Sequence, residues 1–169
     1  MTWNIDDLKL IHFADQVMTT KPPLFDFEKE GVEKAEELTD ALHKKMLQLN
    51  GFGLSANQVG IPFRMFVFGN ADQRFAIFNP TVVGVSKEES TMEEGCLSFP
   101  EFFLTLRRPE KVTVDYQNEK GEIKITPKTE QGIRKRSLDE IFGKLKKARK
   151  GNHSTFKSGQ GDETNPETR

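Results

Sequence analysis

The chain has 169 residues, 35% of them hydrophobic and 30% charged, with a net charge of −1. That length suits one domain with a real core, and the near-neutral total gives no global bias toward nucleic acid or membrane. Cys96 is the only cysteine, which excludes an internal disulfide and fits a reducing compartment. No apolar run approaches the length of a membrane span, and MTWNIDDLKL lacks the layout of a signal peptide, so the expectation is a soluble, cytoplasmic protein.

The neutral total hides an asymmetry. Residues 1–133 carry 15 basic and 21 acidic side chains, residues 134–150 carry 8 and 2, and residues 151–169 carry 2 and 3. Residues 1–25 read as irregular, and Pro22-Pro23 forbids regular helix there. A helical period begins at Glu28. Val32, Ala35, Leu38, Leu42, Met46 and Leu49 recur at steps of three and four, making one apolar stripe that Asn50-Gly51 ends. His43, beside Leu42, reads as a histidine on the flank of that helix.

The stretch GFGLSANQVG (51–60) has three glycines in ten residues, a composition suited to tight turns or close approach to a ligand. Met65–Phe68 is a short apolar run of buried-strand type. FAIFNPTVVGV predicts two short strands broken at Asn79-Pro80, FFLTL and KVTVDYQ predict strands, and NEKGEIKI predicts a hairpin turn with a strand after it. From 137 to 150 the period returns to helical. Ser137 and Glu140 match a capping box, and Leu138, Ile141, Phe142, Leu145 and Ala148 share one face. Residues 151–169 hold one large apolar side chain, Phe156, and predict a disordered polar tail. The class is α+β: short mixed or antiparallel strands around a long N-terminal helix, with a basic C-terminal helix. The expected domain covers 1–150, followed by the tail.

Two stretches carry the chemistry. In GFGLSANQ, a Gly-rich turn offers the Gln58 amide, which can donate to an oxyanion. In EEGCLS, Cys96 follows a glycine, and the backbone N–H of Leu97 is a second candidate donor. Cys96 itself reads as a nucleophile, which needs a base nearby, or as a metal ligand, which needs other N, O or S donors.

GFGLSANQVG resembles the first signature of the peptide deformylases, Gly-apolar-Gly-Leu-Ala-Ala-x-Gln, and EEGCLSFP resembles their second, Glu-Gly-Cys-Leu-Ser. The likeness runs from about residue 8 to residue 125 and looks most like the phage-borne members. It implies a fold of that family and a hydrolase that removes the formyl group from N-terminal formyl-Met of nascent polypeptides. It also implies a divalent metal, iron(II) or zinc, held by one Cys and two His. Carried over, Cys96 is the thiolate ligand, Gln58 and the Leu97 amide hold the oxyanion, Gly53 lines the track of the peptide backbone, and Phe52 lies beside the methionine side chain. Ser55 stands where alanine is commoner.

The family's third motif, His-Glu-x-x-His on a helix, puts two metal ligands on one face with a proton shuttle between them. The histidines here are His12, His43 and His153, none spaced for one helix face. The family spacing counted from Cys96 lands near Leu138 and Phe142. The chain thus reads as incomplete at 124–136 and impaired or inactive as a deformylase, through an internal deletion or as a retained non-enzyme. The alternative function is a deformylase-fold protein that binds the ribosome or nascent-chain N-termini without turnover. The basic stretch 134–150 suits ribosomal RNA, and no contact with DNA or membrane is expected.

Overall fold

The computed structural model describes residues 3–125; the helix expected over 137–150, the tail at 151–169 and most of the 124–136 stretch lie outside them. Two one-turn helices, α1 (Gln16–Thr19) and α2 (Phe27–Glu30), precede the long helix α3 (Val32–Gln48). Asp15 and Asp26 start the short ones by accepting backbone N–H bonds, as N-cap acids do. The helical period was expected to run unbroken from Glu28. Instead Gly31, at φ +84°, separates α2 from α3, a conformation that a side chain would strain. The C-terminus of α3 closes as the sequence predicts. Asn50 takes the left-handed conformation, Gly51 N–H bonds to the Met46 carbonyl at 2.9 Å and Asn50 N–H to that of Leu47 at 3.0 Å. Those two bonds form a Schellman motif, with asparagine in place of glycine.

Ala35, Leu38, Leu42 and Met46 are fully buried, whereas Val32 at the head of the predicted stripe is exposed. The buried four pack on one face of an antiparallel five-stranded sheet ordered β1 (Gly53–Ser55), β2 (Met65–Gly69), β3 (Arg74–Val85), β6 (Val112–Gln117), β7 (Ile123–Ile125). Strict alternation along β2 aims Met65 and Val67 at the helix. The partners Leu54, Ala76 and Phe78 in β1 and β3 extend that inner face. Phe25 seals its end, meeting Phe27, Phe63 and Phe78 edge-on at centroid distances of 4.8–5.0 Å. Each of these side chains contributes roughly 1.5–3 kcal/mol by leaving water.

The predicted break at Asn79-Pro80 is a bulge inside one continuous strand. Register shifts between Phe78 and Thr81, Asn79 sits at φ +53°, and β3 carries on to Val85. Proline has no ladder N–H to give, and a bulge is where a strand tolerates it. The Asn79 side chain makes the bulge a junction: it accepts from Phe25 N–H and donates to the Phe25 carbonyl and to Gln117 Oε1, all at 2.8 Å.

β4 (Glu89–Cys96) and β5 (Phe99–Pro109) form a separate two-stranded antiparallel sheet. The sequence predicts a strand for FFLTL only; β5 is longer, and β4 has no counterpart among the predicted strands. Among the described residues no helix is long and apolar enough to cross a membrane.

Candidate active site

The first signature folds as the edge strand β1 followed by a 3-10 turn over Ala56–Val59, so Gln58 lies just past the end of β1. Ala56 and Val59 bury their side chains and fix the turn from below. The Gln58 carbonyl accepts from Ile11 N–H at 2.9 Å, which ties the N-terminal segment to it. Its side-chain oxygen accepts from Ser55 N–H at 2.9 Å, half of a capping box between the two residues. With Oε1 so used, the amide nitrogen must point the other way. It does: Nε2 donates to Ser98 Oγ at 3.1 Å and lies 3.8 Å from Cys96 Sγ.

The second signature supplies those two partners. Cys96 is the last residue of β4, Leu97 and Ser98 make the turn, and Phe99 pairs with Cys96 across it. The cysteine is exposed at this corner, while Leu97 packs against the main core. A Cβ on Gly51 would come within 2.6 Å of Leu97 Cδ1, and one on Gly95 within 2.8 Å of the Phe103 ring. A side chain at either glycine would force Leu97 or the Phe103 ring to shift. Glu94 is committed elsewhere. Arg108 grips its two oxygens at 2.9 Å each, and that hydrogen bonding holds the carboxyl below its ordinary range against a smaller cost of burial.

The structure thus brings Gln58, Leu97 and Cys96 together, with Gly53 exposed on the edge strand behind them and Phe52 preceding it. Two residues of this cluster were missed. Ser98 stands inside the quoted signature, but only the fold shows that it holds the Gln58 amide. Arg108 is 14 residues from Glu94, and nothing in the sequence marks the pair. His43 lies on α3 beside the apolar stripe. It is buried, with Nε2 3.0 Å from the Asn70 carbonyl. His12 Nδ1 accepts from the Ala14 N–H at 3.3 Å.

Among the described residues the donor set falls short of a catalytic metal site. Such a site takes about three protein ligands. Among the described residues no group of three His, Cys, Asp or Glu side chains could hold one, and Cys96 has only an amide and a hydroxyl beside it. What the cluster can do is donate hydrogen bonds to a carbonyl oxygen beside an exposed thiol.

A family model described as Polypeptide deformylase matches residues 8–145, which extends the resemblance some twenty residues beyond β7. A peptide deformylase of Thermotoga petrophila is 36% identical over 111 residues, 65% of this chain and 65% of its own length. One of Bartonella tribocorum is 40% identical over 96 residues, covering 53% of this chain and 54% of its own length. The chain thus spans less than two thirds of the length of these two relatives. Among solved structures, a protein of Synechococcus phage S-SSM7 described as a probable peptide deformylase superposes with a TM-score of 0.65 at 29% identity, covering 70% of this chain and 81% of its own. The peptide deformylase of Thermotoga maritima gives 0.63 at 32% identity, covering 70% and 78%.

Proposed function

The chain belongs to the polypeptide deformylase family, and on that premise we propose that it binds formylated N-termini of nascent peptides without, as a single chain, hydrolysing them. The family as a whole is metal-dependent and acts on formyl-Met peptides. The observation that carries the proposal is the preset Gln58 amide. Its oxygen is held by Ser55 N–H, so its N–H bonds stay aimed at the cysteine corner. A donor oriented before the ligand arrives loses little entropy on binding. In this reading Gln58 Nε2 and the Leu97 N–H hold the formyl oxygen, and Ser98 releases Gln58 to it. The peptide backbone adds to the free edge of β1, where Gly53 has no side chain to block it. Phe52 faces the methionine side chain.

Hydrolysis is a separate matter. The chemistry that a family metal, iron(II) or zinc, supplies needs two donors besides the Cys96 thiolate, and the described histidines are engaged elsewhere. No step through a metal follows from these residues. Cys96 here lines the site as a small polarisable side chain.

The test combines binding with turnover. Formyl-Met-Ala-Ser should bind measurably tighter than Met-Ala-Ser, and Gln58→Ala should weaken the formylated peptide about five- to tenfold. Formate release should stay at background after anaerobic purification. Equal affinity for both peptides would refute the recognition, and stoichiometric metal with formate release would refute the lack of turnover. A second reading rests on charge. Residues 134–150 carry net +6, which favours contact with ribosomal RNA, and cosedimentation with ribosomes should then fall steeply as salt rises.

A further inference from the structure

Two half-exposed rings close a circuit around the Gln58 amide. Phe13 is 48% exposed and Phe99 42%, yet they lie against each other with centroids 4.9 Å apart and planes tilted by 32°. They come from two different segments of the site. Phe13 follows Ile11, whose N–H bonds to the Gln58 carbonyl at 2.9 Å and whose Cδ1 would lie 3.0 Å from a Cβ at Gly60, the end of the Gln58 turn. A turn over 12–15 presents the ring: Asp15 N–H bonds to the His12 carbonyl at 2.9 Å, and the His12 ring lies 4.3 Å from that of Phe13. Phe99 pairs with Cys96 and directly follows Ser98, the acceptor of the Gln58 amide.

We infer that Phe13 and Phe99 are positioning residues: their contact clasps the cysteine corner to the Gln58 turn and so sets the spacing of the two donors, Gln58 Nε2 and Leu97 N–H. This rests on the reading that those donors hold the formyl oxygen. The Gln58–Ser98 bond and the ring pair both tie the turn to the corner. The bond must open when a carbonyl oxygen takes the Gln58 N–H. The ring pair involves neither donor and survives that exchange, so it keeps the corner in place while the ligand is bound. Two donors share one oxygen only if both stay within hydrogen-bond reach, and the bond weakens steeply once the geometry slips. A ring pair of this kind shifts an equilibrium by about three- to tenfold. That is enough to bias a corner whose thiol and neighbouring rings are exposed. Rings left half in water add little to the core, which separates this role from a purely structural one.

The test measures the affinity ratio of formyl-Met-Ala-Ser to Met-Ala-Ser in the full-length chain and its variants. Phe13→Ala and Phe99→Ala should each lower the ratio about three- to tenfold, with the urea midpoint little changed. The double variant should lose no more than either single one, because one contact is removed in all three. Phe13→Tyr, which keeps the ring, should restore the ratio. A ratio unchanged in both alanine variants, losses that multiply in the double variant, or collapse of the fold in either single variant overturns the proposal. A second arm needs no peptide. By NMR, the Gln58 side-chain amide protons should exchange with water at least threefold faster in Phe13→Ala, because the Ser98 bond loses its support. Unchanged exchange there overturns the clasp, even where the wild-type chain shows no formyl preference and the recognition itself has failed.

Discussion

The helix-and-sheet unit and the β4–β5 hairpin differ in what holds them. In the first, α3 and the inner faces of β1, β2 and β3 bury Leu38, Leu42, Met46, Leu54, Val67 and Phe78 to near zero exposure. In the second, Met92, Phe99, Phe103 and Leu104 are exposed and two Arg–Glu pairs bridge the strands. Apolar burial is worth kilocalories per side chain, while exposed ion pairs are worth a fraction of one. The lesson is a division of labour. The first unit supplies stability and a fixed Gln58, and the second carries the chemically distinctive Cys96 on a lightly held arm.

The sharpest way to break this contrast is to remove one ring from each region. Phe78→Ala should cost about 3–5 kcal/mol in urea unfolding, and Phe103→Ala about 1 kcal/mol or less. Equal losses would mean that the hairpin is as integral as the core. Next in size is the junction at Asn79. Asn79→Ala removes three hydrogen bonds and the residue type best suited to its left-handed backbone, so about 2 kcal/mol should be lost. A neutral result would show that the bulge needs no side-chain clamp.

The smallest effect is electrostatic. The Glu94 carboxyl is depressed by Arg108, so the pair stabilises the fold above the ordinary carboxylate range, and this contribution is lost as pH falls through the lowered folded value. Arg108→Ala should therefore lower the urea midpoint more at about pH 6 than in acid, with the difference shrinking as pH falls below the ordinary carboxylate range. The shift should be small, because the pair is largely exposed and solvent screens it. A gap that persists at the acid end would assign the effect to packing of the arginine stem.

This contrast also explains what the sequence made legible. Where one face is buried, burial leaves a period. The stripe of α3, the apolar run of β2 and the turn at Asn118–Gly121 could be read directly, and the last is closed by Gly121 N–H on the Asn118 carbonyl at 2.9 Å. β4, ESTMEEGC, has no apolar alternation because neither of its faces is deeply covered, so no strand is predicted there. Asn79-Pro80 looked like a stop because proline punctuates most strands, and only the bulge lets β3 pass through it. Within the site, the two signatures pointed to Gln58, Leu97 and Cys96. Ser98 and Arg108 act through partners that are distant in sequence, which local pattern does not record. The burial of His43 depends on the Asn70 carbonyl, 27 residues away.

The 38-residue separation of Gln58 and Cys96 has a kinetic consequence. The glutamine is fixed by a local turn that can form early, while the thiol arrives only after β2, β3 and the hairpin have closed a long loop. Assembly of the pair is therefore a late event in folding and an early loss in unfolding, since weakly packed units open below the global threshold. In gradual denaturation the chain should shed its grip on a carbonyl while its central helix still reads as native.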